Sequence, residues 1–374
     1  MKIVEVESFL LGDAHLLRIH TDEGISGLGQ SACWGYPAAT DKVIDYFVPY
    51  LIGKDPLDIE KHWHHLYRMG PFRGSILMAA ISAVDIALWD IKGKFLGVPI
   101  WQLLGGRARD KVRVYELVEG GGPDKLRADI AKAIAKGFSA VKISPLPPDY
   151  KNLSHVALVN GIHRQMTAAR EEAGEHDLII EFGRTLSATQ ALSLINIVGE
   201  YNPLFVEDPI QIDSIHEQAR IASRTSVPMG HGERLHSIWE FRELLEQGGP
   251  QYVRPDIGLA GGITHCKKIA AVADSFHANV CTHNCLGPVL TAASVHLDVS
   301  IPNFRIQEYY TVQDEGPASA GYTSACVRDG AFIPAPQAPG LGVELDIEKA
   351  SGYRYLPRQL HEIVPGNDGF PGSI

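Results

Sequence analysis

The sequence predicts an α/β protein: a small α+β domain followed by a (β/α)-barrel of the TIM type. Two observations carry this expectation. From Val112 onward, eight short apolar strand patterns alternate with helical ones, the later strands about 23 to 27 residues apart. Carboxylates also recur at the ends of successive strand patterns, on the barrel face where active sites are built. Boundaries are expected at 1–112 for the first domain, 113–312 for the barrel and 313–374 for a C-terminal segment.

In the first domain, KIVEVESFLL, HLLRIHT and SGLGQSA read as short strands, the last two joined by the turn Thr21-Asp22-Glu23-Gly24. Leu77, Ile81, Val84, Leu88 and Ile91 then recur at steps of four and three, the period of a helix with one apolar stripe. Gly105-Gly106 ends this part. The barrel strands are VRVYEL, AVKIS, LIIEF, LFVED, PMGHGE, YVRPD, NVCTH and FRIQEY. Between them, stretches such as Ile238, Phe241 and Leu245 keep one apolar face. Ser187 with Gln190, Ser214 with Glu217 and Ser237 with Glu240 match the capping box that opens a helix. After residue 312 the regularity fades into Pro, Gly and Ala, and PGNDGFPGSI reads as a loose tail.

The bulk composition narrows the function. With 45% hydrophobic and 21% charged residues the chain has the make-up of a soluble globular protein. A formal charge of −10 argues against nucleic acid or an anionic membrane as partner, and it obliges an acidic substrate to find local positive charge. Five cysteines without a CxxC pair fit a reducing cytoplasm better than a disulfide framework. MKIVEVESFLLGDAH lacks a signal-peptide core, and no window has the length of a membrane helix.

Glu181, Glu207 and Glu233 each stand just before one of the three capping boxes, hence at the C-terminal ends of successive strands. Their separations are equal, 207−181 = 26 and 233−207 = 26. Any one of them alone could be a barrel-rim salt bridge. Three carboxylates converging from neighbouring strands call for a cation, and hard oxygen donors favour one Mg²⁺. The next strand carries Asp256 and the following one His283, with 283−256 = 27. An Asp beside a His fixes its tautomer and makes a general base for neutral pH. Glu308 shares the rim. Lys142, ending the second strand, is the local positive charge: it can bind a substrate carboxylate, stabilise an oxyanion, serve as a base or form an ion pair with a rim carboxylate. His231 and His236 flank Glu233 and are open to lining the pocket or to plain structure, with His236 the one taken as substrate-binding. His62-Trp63-His64-His65 reads as a helix surface and core edge, Gly120-Gly121-Gly122 as a loop without P-loop chemistry, and Tyr150 as surface.

In this order the motifs resemble the enolase superfamily, in its mandelate racemase-like branch. The matching segments are Val141-Lys142-Ile143, Ile180-Glu181-Phe182, Val206-Glu207-Asp208-Pro209, Gly232-Glu233-Arg234-Leu235-His236-Ser237, Arg254-Pro255-Asp256, Ala260-Gly261-Gly262-Ile263-Thr264, Thr282-His283-Asn284 and Gln307-Glu308-Tyr309. Outside the barrel, residues 81–94 and Pro339 to Glu344 match too. The chain is most similar there to galactonate and mannonate dehydratases. The resemblance implies a capping domain made by the N-terminal part and the C-terminal segment. It further implies Mg²⁺, a His283–Asp256 dyad, an enediolate intermediate, and Trp34, Tyr36 and Arg73 closing over the substrate. Three departures stand out: Ser144 where racemases of the branch carry a second lysine, Gly183 where the dehydratases carry a histidine, and Glu181 where Asp is commoner.

The expected function is dehydration of an acid sugar, a polyhydroxy monocarboxylate, to a 2-keto-3-deoxy acid, in a homo-oligomer. An isomerase (epimerase or cycloisomerase) using Lys142 opposite His283, or an acid-sugar-binding protein on the same scaffold, are the alternatives.

Overall fold

A computed structural model describes residues 1–314, 319–350 and 352–357. Strands β1 (Ile3–Leu11), β2 (Ala14–Thr21) and β3 (Ser26–Ser31) form an antiparallel meander. Three helices cover it, Pro37–Leu51, Ile59–Arg68 and Ser75–Leu96. The last is buried on nearly all sides. Gly27 and Gly29 of β3 lie so close to the carbonyls of Ala87 and Ala83 that a Cβ at either position would collide with backbone. The small residues on both elements are therefore what let the helix seat on the sheet.

Eight parallel strands follow: β4 (Lys111–Leu117), β5 (Ala140–Ile143), β6 (Asp177–Glu181), β7 (Phe205–Glu207), β8 (Met229–His231), β9 (Tyr252–Val253), β10 (Asn279–Val280) and β11 (Gln307–Tyr309). Each pairs with the next from β4 to β10, and β11 pairs with β4. Val280 N bonds Asn303 O at 2.8 Å and Glu308 N bonds Thr282 O at 3.0 Å, which closes the ring. The fold is thus a modified TIM barrel with an N-terminal cap. Several strands are shorter than their apolar patterns, because residues such as Asp256 and His283 touch their neighbours only as an isolated bridge.

The alternation of side chains along a strand positions the site. Tyr115, Ala140, Ile179, Phe205, Cys281 and Ile306 form one buried apolar cluster of barrel-strand residues. Two residues further along five of these segments come Lys142, Glu181, Glu207, His283 and Glu308. A period of two thus puts a polar layer directly over an apolar one. The larger core packs between strands and outer helices.

Beyond the barrel, β12 (Tyr322–Ser324) pairs with β14 (Val343–Leu345), and β13 (Phe332–Pro334) lies antiparallel to β4. This segment turns back to the N-terminal part. Arg18 donates to Leu345 O at 2.7 Å, and Leu341 N to Asp90 Oδ1 at 2.8 Å. The tail Pro365 to Ile374 lies outside the described residues. No helix among the described residues is long and apolar enough to cross a membrane.

Candidate active site

One ligand oxygen from each of Glu181, Glu207 and Glu233 lies within 4.8 Å of the others. Glu207 is fully buried. Its Oε1 meets Arg254 at 3.0 Å and Lys142 at 3.4 Å, while its Oε2 has no hydrogen-bond partner. Burial pushes its pKa well up, against the pull of Arg254 and Lys142. An orphaned, buried oxygen on a glutamate that converges with two more carboxylates fits a hard divalent cation.

His283 Nδ1 sits 2.6 Å from Asp256 Oδ2, and the other oxygen of Asp256 accepts Gly258 N at 2.8 Å. The Nε2 of His283 stands 3.6 Å from both Glu233 and Glu308. Burial disfavours the imidazolium, but Glu233 and Glu308 outweigh it and raise the pKa of His283 well above the ordinary value. Asp256, Glu233 and His283 line a cavity of about 490 Å³, with Trp34, Tyr36 and Ser75 from the cap and Arg234 from the barrel.

Lys142 is ion-paired with the rim carboxylates. Its Nζ lies 2.5 Å from Glu308, 3.0 Å from Glu181 and 3.4 Å from Glu207. Burial lowers its pKa, yet the three carboxylates outweigh this and hold it well above the lysine range. Against the cost of burial, Lys142, His283 and Arg254 bring Glu308 down to about 2.

Two of the expected substrate-binding residues are not among those that line the cavity. Arg73 donates to Gly70 O at 2.7 Å and Phe72 O at 2.9 Å and lies over the Tyr67 ring, exposed and off the cavity wall. His236 precedes the cap residue of the next helix: its backbone N–H donates to Glu240 at 3.1 Å, and its ring faces the same carboxylate. Trp34 and Tyr36 do line the cavity. His62 is a core histidine, bonded to Tyr50 and to Asp55 O, and Gly120 to Gly122 form a left-handed loop before a helix. Tyr150 is half-buried, with one side packed against the core.

Three residues, Arg184, Arg254 and Asp208, were not singled out from the sequence, and His231, a candidate for the pocket there, pairs with one of them. Arg184 Nη1 lies 2.6 Å from Glu233 and 3.5 Å from Glu181, bridging two of the triad. Arg254, fully buried, ties Glu207, Glu308 at 2.9 Å and Tyr115 at 2.8 Å. Asp208 and His231 form a second buried pair, 2.8 Å apart. Arg254, Asp208 and His231 sit within or beside the quoted motifs, but no spacing rule marks where such side chains end.

Residues 12–105 match the model for the mandelate racemase / muconate lactonizing enzyme N-terminal domain, and residues 125–350 the enolase C-terminal domain-like model. The chain belongs to the enolase superfamily. Among relatives of this superfamily member is a D-galactonate dehydratase of Ralstonia nicotianae, 35% identical over 357 residues and 92% of each chain. One of Variovorax paradoxus is 36% identical over 93% of each chain. A solved enolase from Agrobacterium radiobacter, holding sodium and L-malate, superposes with a TM-score of 0.93 at 27% identity over 100% of both chains. A mandelate racemase/muconate lactonizing enzyme from Jannaschia matches at 0.88 and 30%, over 97% of this superfamily chain and 100% of its own.

Proposed function

We propose that this chain is an acid sugar dehydratase, a hydro-lyase in which His283 removes the proton next to the substrate carboxylate. The observation that carries the reading is the 2.6 Å contact between His283 Nδ1 and Asp256, in a dyad that lines the same cavity as Glu233. The relatives named D-galactonate dehydratase support an acid sugar as substrate, and the malate held by the Agrobacterium enolase is itself a hydroxy acid.

Glu181, Glu207 and Glu233 would hold one Mg²⁺, which supplies electrostatic stabilisation for charge developing on the substrate carboxylate. Asp256 keeps the proton of His283 on Nδ1, so that Nε2 faces the cavity as the base. Removal of the α-proton gives an enediolate, whose charge the ammonium of Lys142, itself held by Glu308, would help to balance. With Ser144 and Gly183 in place of a second lysine and a histidine, the acid on the face of the abstracted proton is the newly protonated His283. It returns its proton to the β-hydroxyl from the same face, a syn elimination, and the enol tautomerises to a 2-keto-3-deoxy acid.

The test is a screen of the purified protein with Mg²⁺ against acid sugars, galactonate among them, reading 2-keto acid. His283→Asn should abolish both turnover and exchange of the α-proton with D₂O. Exchange that survives in the variant would place the base elsewhere. Recovered substrate should contain no α-epimer by NMR; its appearance would sink the one-sided mechanism.

A further inference from the structure

The loop that follows Asp256 is held from the cap by four side chains of two helices. Trp63 Nε1 donates to Gly261 O at 2.8 Å. Ser82 Oγ, which donates to Met78 O at 2.7 Å, accepts Gly261 N at 2.8 Å. Asp85 Oδ2 accepts Thr264 N at 3.0 Å, and Trp89 Nε1 donates to Thr264 Oγ1 at 2.8 Å. Ala32 N adds a bond to Gly258 O at 2.8 Å. Ser82 and Asp85 are essentially inaccessible, at 0% and 2% exposure, so no water can substitute for them without rearrangement.

The close approach is built into the loop. Gly261 and Gly262 have φ of +86° and +77°, and a Cβ on Gly262 would collide with the carboxylate of Asp85. Only a chain without a side chain there lets the cap helix reach the Thr264 amide. The same loop fixes the catalytic carboxylate: Asp256 O accepts Leu259 N at 3.1 Å and Ala260 N at 2.7 Å, and Asp256 Oδ1 accepts Gly258 N. Residues 256 to 261 therefore form a hydrogen-bonded turn that runs directly into the helix Gly262–Ser275, with His283 at one end and the cap at the other.

We propose that Ser82 and Asp85 are positioning residues for the Asp256–His283 dyad, setting from the cap the turn on which Asp256 is aimed. The inference rests on the dyad being the base of the proposed reaction. A displacement of about 1 Å at a catalytic group costs up to about 100-fold in rate.

The experiment compares full-chain Ser82→Ala, Asp85→Ala and Asp85→Asn with wild type. Asn keeps an acceptor for Thr264 N and serves as the conservative rescue. Ser82→Ala and Asp85→Ala should lower kcat by about 10- to 100-fold with little change in KM, and Asp85→Asn should restore most of it. An independent readout is the far-downfield NMR resonance of the His283 Nδ1 proton, shared with Asp256 in a short charge-assisted hydrogen bond. It should shift or vanish in both alanine variants and return in Asp85→Asn. Variants with lower melting temperature but unchanged kcat and resonance would reduce Ser82 and Asp85 to packing and overturn the proposal. If wild type dehydrates no acid sugar, the functional reading fails, while the resonance still decides the positioning role.

Discussion

Glu207 shows most plainly what one residue must do here. Its Oε1 is shared between Arg254 and Lys142, and its buried Oε2 has no partner, so its charge is only partly balanced by protein. Glu207→Gln keeps the shape and removes the charge. Mg²⁺ affinity should fall by about 100-fold or more in titration calorimetry with the circular dichroism unchanged; equal affinity would rule out the three-glutamate site. Asp256→Asn should impair turnover less completely than His283→Asn, because the imidazole remains while its tautomer loses its fixed partner. The glutamates and the dyad were legible because a barrel converts equal sequence spacing into spatial convergence. Arg184 was not, since it stands outside that spacing and a long side chain can end several ångströms from its Cα in many directions. His236 misled for a related reason: three residues past Glu233 the chain has already turned into a helix start.

At the scale of single elements, helix starts were the most readable feature, and their chemistry is local. Ser187 and Gln190 satisfy each other's backbone reciprocally, while Ser214 and Ser237 accept from the backbone N–H of Glu217 and Glu240 without the return bond to the cap residue's own N–H. Glu217 is drawn instead to Arg220, and Glu240 to Ser237 Oγ and His236 N. Ser187→Ala should therefore cost about 1 kcal/mol in urea unfolding. Because Glu181 precedes that cap by six residues and is set by β6, Mg²⁺ affinity should stay within about twofold. A large loss of affinity would show that the helix, not the strand, aims the carboxylate. Strand existence was legible from apolar runs, whereas strand ends were not. In β9 and β10 the last patterned residues, Asp256 and His283, lie beyond the strand and face the site.

Across the whole molecule, the seam between cap, barrel and returning segment depends on buried polar groups that no periodicity announces. His296 is one of them: its Nδ1 accepts Trp101 N at 3.2 Å and its Nε2 donates to Leu341 O at 3.1 Å. It thereby joins the connector after the cap, a barrel helix and the C-terminal segment. Accepting a backbone N–H requires the neutral ring, and full burial pulls its pKa down to about 4. The sign follows from linkage. A histidine whose folded pKa lies below its unfolded value of about 6.5 contributes its full stability above that value, and loses it as pH falls toward 4. A buried group with that shift carries up to about 3 kcal/mol. His296→Gln cannot titrate, so the stability gap between wild type and variant should be widest at pH 7 and shrink by up to that amount at pH 4. Urea unfolding of both proteins at the two pH values measures the gap directly. A gap of equal size at both would mean that His296 is not held neutral, and that the seam does not depend on its Trp101 bond.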